Sequence, residues 1–116
     1  MGVFVIGTIT GSMGKSRQAT WRVDTGADNS LMPTKVAQSL GLRQTGNVVV
    51  TTANGTKYMP IFAATLTLGD NEPFQTTVIG VNENLFALGM QEIKRVGLVV
   101  DIGGTASVGG VPASIN

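Results

Sequence analysis

Two β-branched stretches, Val48 to Thr52 and Thr56 to Tyr58, are joined by Ala53-Asn54-Gly55 near the middle of the chain. Asn-Gly flanked in this way is the strongest short-range signal for a β-hairpin, because a tight turn between twisted strands needs positive φ angles that these residues tolerate. Composition extends the reading to the whole molecule. Sixteen glycines, many Thr and Val residues and few helix-favouring charged runs among 116 residues argue for a β-rich fold.

That length fits one domain, large enough to bury a core but too short for two catalytic lobes. The chain has neither cysteine nor histidine. Disulfides, thiol nucleophiles, imidazole bases and the usual zinc sites are therefore excluded, and any catalysis falls to carboxylates. No metal or cofactor is expected. The net charge is +1 with the signs scattered, so there is no basic stripe for nucleic acid. No apolar segment approaches membrane-spanning length, the start lacks the long apolar core of a signal peptide, and nothing states a compartment.

Taken in order, Val3 to Thr10 and Gln18 to Asp24 read as a hairpin with a glycine-punctuated turn. That turn, Gly11-Ser12-Met13-Gly14-Lys15-Ser16, glances at a phosphate-binding loop, but Ile9 stands where the leading glycine belongs and a β pattern follows. Asp28-Asn29-Ser30 is turn chemistry. Pro33 opens a short helix through Leu40 that Gly41 ends, with Val36 and Leu40 facing the core. Pro60 to Leu68 alternates as a half-buried strand, residues 69–73 turn the chain, and Phe74 to Val81 returns. Leu85 to Leu88 is a short buried strand. Gly89 lets the backbone pass close to something, Met90 to Val96 is one or two helical turns with Ile93 and Val96 inward, and Leu98 to Ile102 is again a strand. The order strand, glycine, short helix, Gly-Leu thus occurs twice, a weak internal repeat in which only the first copy holds an aspartate.

That aspartate is the chemical centre of the sequence. Trp21-Arg22-Val23 carries the backbone inward, and Asp24, Thr25 and Gly26 follow at once. Aspartate is depleted in strands and glycine weakens them, so this order places a reactive acid at a strand end. Val23 to Ser30, the helical segment ending Leu40-Gly41-Leu42, and Ala87-Leu88-Gly89-Met90 opening a second helix together resemble the retroviral-type, or retropepsin-like, aspartic proteases, as a non-viral or cellular member. The resemblance runs from about Ile6 to Asp101.

It implies an all-β, closed-barrel acid-protease fold with one or two short helices, acting as an obligate homodimer with its site on the twofold axis. Two carboxylates, one from each chain, share a proton because two anions so close cannot both ionise. One acts as base on a water and the other donates to the scissile carbonyl. Asp24, Thr25 and Gly26 are then catalytic, with the Thr25 hydroxyl bracing the partner loop and Gly26 allowing close approach. Ala27, Asp28 and Asn29 line the cleft, Leu85 and Ala87 form side-chain pockets, and Ala53, Asn54 and Gly55 form the tip of a flap over an extended peptide. The implied partners are a second copy and peptide or protein substrates, its own precursor among the candidates, with no nucleic acid and no membrane.

Three features have competing readings. Locally, the hairpin at Asn54 is as well read as an ordinary surface turn, and Asp28 as a turn cap. Viral enzymes carry an arginine, paired with the acid at the place of Asp28, where this chain has Met90. Arg22 is a possible substitute brace, or a plain solvated strand residue. Asp101-Ile102-Gly103-Gly104-Thr105 looks like the phosphate signature of the sugar-kinase and actin superfamily, but too little chain follows it for that site. It reads instead as a turn joining Leu98 to Ile102 with Thr105 to Val108, similar to the terminal hairpin of cellular retropepsin-like proteases of the DNA-damage-inducible type. The expected division is a protease domain over 1–102 and a hairpin strand with a loose tail over 103–116. Asp101 reads as a surface or interface residue. The alternatives to a peptidase are a non-catalytic retropepsin-like dimerisation or peptide-binding domain and an unrelated small β-barrel ligand-binding module.

Overall fold

The structure, a computed structural model, describes residues 2–69, 71–100, 106–108 and 111–115. The first hairpin pairs β1 (Val3–Thr10) with β2 (Ser16–Val23), Val5 opposite Trp21 and Ile9 opposite Arg17. A short strand β3 (Ser30–Pro33) follows, Pro33 caps helix α1 (Thr34–Ser39), and a long hairpin is made by β4 (Arg43–Thr52) and β5 (Gly55–Leu68). Then come β6 (Phe74–Val81), β7 (Ala87–Leu88), helix α2 (Met90–Val96), β8 (Leu98–Val100), β9 (Ala106–Val108) and β10 (Val111–Ile115).

The sheet order is β4-β5-β6-β3-β7-β2-β1-β10-β9-β8, and β5 also pairs with β1. That extra pairing closes β1, β2, β7, β3, β6 and β5 into a barrel. Alternation along β5 decides which residues fill it: Phe62, Ala64, Leu66 and Leu68 are buried while the residues between them are half-exposed. Ile9, Trp21, Met32, Leu66, Leu68 and Leu88 are fully buried and meet in one cluster. Each contributes about 1.5–3 kcal/mol of transfer free energy or more. Trp21 lies edge-on to Phe86 with ring centroids 5.2 Å apart, and its Nε1 donates to Gly7 O at 3.1 Å. The indole is thereby held at full depth with its one donor satisfied.

β7 is the topological key. It runs parallel to β2, with Arg22 opposite Ala87 and Val23 opposite Leu88, and antiparallel to β3 through Leu31 and Ala87. Two residues of strand thus fill the gap between the end of β2 and the start of β3. The loop joining those two strands, residues 24–29, is left to fold over the end of β7.

The β4–β5 hairpin outgrows its neighbours. β5 meets β6 only from Ile61 onward and β1 only from Thr65 onward, whereas its pairing with β4 continues to Thr52 opposite Gly55. Beyond that point the hairpin is a two-stranded arm, exposed from Thr51 to Tyr58 at every residue whose side chain is described.

The sequence expectations are met for most elements and corrected at three. Ser30 begins a strand rather than completing a turn: β3 pairs parallel with β6 over Ser30–Pro33 and needs no hydrophobic run of its own because neighbours lie on both sides. Leu85 and Phe86 precede the strand β7 and do not belong to it. Residues 111–115, expected within a loose tail, are a strand instead. Val111–Ile115 forms β10, which pairs with β9 and places Val3 opposite Ile115 in β1. β8 and β9 are antiparallel, as the terminal hairpin requires, while Asp101 and the Gly103-Gly104 turn lie outside the described residues.

Candidate active site

Asp24 is the first residue after β2, half-buried, and its amide donates to Leu88 O at 2.9 Å, continuing the β2–β7 ladder by one step. The ladder fixes where its side chain emerges. Gly26 N donates to Asp24 Oδ1 at 3.0 Å, and Ala27 N to Asp24 O at 3.3 Å. The carboxylate thus takes a main-chain hydrogen bond from within its own turn. Thr25 and Gly26 are exposed at the crest of the loop.

The loop is held from behind by the first turn of α2. The leading amides of a helix have no partner inside it. Here they point at the loop: Met90 N donates to Ala27 O at 2.7 Å, Gln91 N to Asp28 O at 3.0 Å, and Gly89 N to Ser30 Oγ at 2.9 Å. Gly89 is the close approach that the sequence anticipated. A Cβ there would lie 2.5 Å from Asn29 O and 2.8 Å from Asn29 N, so no other residue fits.

Ala27 is half-buried, and Asp28 and Asn29 are exposed beside it. The main-chain bond from Gln91, not an arginine, is what ties Asp28 to the helix. Arg22 is exposed and lines a groove of about 490 Å³ with Phe4, Asn84, Leu85 and Phe86. The structure therefore places Arg22 and Leu85 on one groove. Ala87, by contrast, is 2 % exposed and offers little surface.

Ala53, Asn54 and Gly55 are exposed at the end of the arm. The turn differs from the expected geometry. Gly55 takes φ +116°, but among the described residues no non-glycine has a positive φ, so Asn54 does not. The bend runs through Ala53 and Asn54, and the glycine after it relieves the strand.

Three residues were missed. Glu92 is 1 % exposed, and its carboxylate accepts from Ser30 Oγ at 2.5 Å and from Thr76 Oγ1. Sequence reading assigns a glutamate on a short helix to the solvent face. The available signal was position: Glu92 stands four residues before Val96 and three after Gly89, inside the arc that faces the barrel. Ser30 reads as turn chemistry, and Thr76 as a residue of an ordinary half-buried strand. Among the described residues no cluster of acidic side chains could hold a metal.

A closed barrel of this topology with an Asp-Thr-Gly loop at a strand end defines a retropepsin-like acid protease fold. The chain belongs to the aspartyl protease family: that family's model matches residues 5–100. Solved structures agree on the fold. EIAV protease complexed with the inhibitor HBY-793 superposes with TM-score 0.67 at 17 % identity, covering 85 % of this chain and 91 % of the viral one. The retroviral protease-like domain of Ddi1 from Leishmania major gives 0.62 at 18 % identity, with 96 % and 92 % covered. The protease of simian foamy virus (mac) gives 0.62 at 14 %, with 78 % and 91 % covered. A comparison with curated proteins gives no significant match.

Proposed function

We propose that this chain is an aspartic endopeptidase that works as a homodimer, with Asp24 of each subunit forming the catalytic pair. The observation that carries the reading is the Asp24 loop itself. Its carboxylate stands at the end of a strand, held by one amide of its own turn and used by no other element described, within an aspartyl protease fold. One chain offers one such acid, and the chemistry needs two. Gly26 supports the same reading. Within the chain a Cβ at that position would meet only Asp24 Oδ1, at an ordinary 3.4 Å, so the glycine leaves open space on the side where a partner loop would approach in the dimer.

In the dimer one carboxylate takes a proton from a water lying between the pair, and the water oxygen attacks the scissile carbonyl carbon. The other, protonated, donates to the carbonyl oxygen. Collapse of the tetrahedral intermediate breaks the C–N bond as the leaving nitrogen takes a proton from the pair. Thr25 braces the loop across the axis. Ala27, Asp28 and Asn29 hold the backbone of an extended peptide, Leu85 faces its side chains with the enclosed Ala87 behind it, and the arm ending in Ala53, Asn54 and Gly55 closes over it as an added strand. The terminal strands β8 to β10 continue the sheet beyond β1 and belong to the dimer interface.

The test is incubation of the purified chain with a diverse peptide mixture from acid to neutral pH, beside an Asp24→Asn control. Cleavage by the wild type and its loss in the variant are expected. Absence of turnover with every peptide would leave a dimerisation or peptide-binding domain instead.

A further inference from the structure

Glu92 has no part in the chemistry above, yet among the described residues it is the charged side chain that the fold buries most completely. Its helix neighbours Gln91, Lys94 and Arg95 are all exposed, whereas Glu92 is 1 % exposed and Ser30, against which it packs, is 0 % exposed. Burying a carboxyl group is unfavourable unless both oxygens are bonded. Both are: Ser30 Oγ donates to one at 2.5 Å and Thr76 Oγ1 to the other. An apolar residue would fill this space without that requirement. What the carboxyl group adds is direction.

The Ser30 hydroxyl has one proton to give. With that proton aimed at Glu92, its oxygen is left facing Gly89 N, from which it accepts at 2.9 Å. That bond sets the position of Gly89, whose neighbours Met90 and Gln91 hold Ala27 O at 2.7 Å and Asp28 O at 3.0 Å. Side chains from β3, β6 and α2 therefore converge on one carboxyl group directly behind the loop of residues 27–29.

We infer that Glu92 is a positioning residue for the loop Ala27–Asn29, acting through the Ser30 hydroxyl. This rests on the proposed role of that loop in holding the peptide. Glu92 touches no substrate; it keeps the two loop carbonyls turned to the helix, so that the side chains of Asp28 and Asn29 stay on the exposed side.

The experiment uses the full chain and two readouts, one independent of activity. Ser30→Ala, Glu92→Met and the double variant are compared with the wild type by amide hydrogen exchange and by peptide-cleavage kinetics. Each single variant should speed exchange at Met90 and Gln91 by about tenfold, the effect of losing one buried hydrogen bond, while amides of the β4–β5 arm are unchanged. KM should rise by about tenfold with kcat nearly constant, as expected when binding and not the chemical step is disturbed. The double variant should be no worse than either single one, because both remove the same tie. Unchanged exchange at Met90 and Gln91, acceleration spread evenly over the chain, or additive effects in the double variant would overturn the inference. A wild type that cleaves nothing would remove the peptidase reading, and the exchange pattern would still decide the tie.

Discussion

Replacing Gly89 by alanine tests the link between helix α2 and the Asp24 loop with one carbon atom. The new Cβ would sit 2.5 Å from Asn29 O and 2.8 Å from Asn29 N, both main-chain atoms that no rotamer change can move. Relief requires the loop and the helix to part by about 1 Å, since ordinary contacts begin near 3.4 Å. Such a shift would stretch the Met90 and Gln91 bonds, now 2.7 and 3.0 Å, out of hydrogen-bonding range. Overpacking costs about 1–3 kcal/mol and each lost bond about 1 kcal/mol. Because the shift trades one cost against the other, the sum is about 3 kcal/mol. For a domain of this size that lowers Tm by roughly 10–15 °C. The assay is thermal and urea unfolding at equal protomer concentration, since any dimer makes Tm concentration-dependent. Gly46→Ala is the control, because nothing lies within 4 Å of its added Cβ, and it should change stability by about 0.5 kcal/mol or less. If Gly89→Ala is as stable as that control, the close approach does not hold the loop and the geometry described for the site is wrong.

Trp21→Phe should cost about 2–4 kcal/mol in urea unfolding, because it empties space in the core and leaves Gly7 O without the indole donor that now lies 3.1 Å away. Gly55→Ala should cut peptide turnover while unfolding shifts by only about 1–2 kcal/mol, since its φ of +116° is strained for any other residue but lies at the end of an exposed arm. A parallel collapse of stability and activity would make the arm structural. Deleting residues 105–116 should weaken dimer association and also destabilise the subunit, because β1 loses its pairing with β10 at Val3 and Phe4. A truncated chain with unchanged unfolding and unchanged dissociation would contradict both.

Much of the barrel was legible because its signals are local. Alternation from Pro60 to Leu68 marks a strand whatever it pairs with, and Met90–Val96 follows from helical spacing after a glycine. Gly89 could be flagged as a close approach, but only the fold names Asn29 as what approaches. The parts not legible depend on neighbours distant in sequence. Ser30–Pro33 is a strand because β6 and β7 flank it, and Val111–Ile115 because β1 offers an edge. Glu92 is buried because Ser30 and Thr76, 62 and 16 residues away, supply donors. Asp24-Thr25-Gly26 was readable because a reactive acid at a strand end contradicts local preference. Ala87 shows the reverse case, a position assigned by resemblance whose side chain the fold encloses.

A subunit-mixing experiment tests the shared site most directly. Wild-type chain at fixed concentration is equilibrated with increasing Asp24→Asn chain, and peptide cleavage is followed. If each site takes one Asp24 from each subunit, random exchange leaves about half the activity at equal amounts and about one tenth at a ninefold excess of variant, because mixed dimers hold a single acid. Cleavage that stays constant across the whole titration would mean that one chain carries a complete site, and the account of a catalytic pair built from two copies of Asp24 would be wrong.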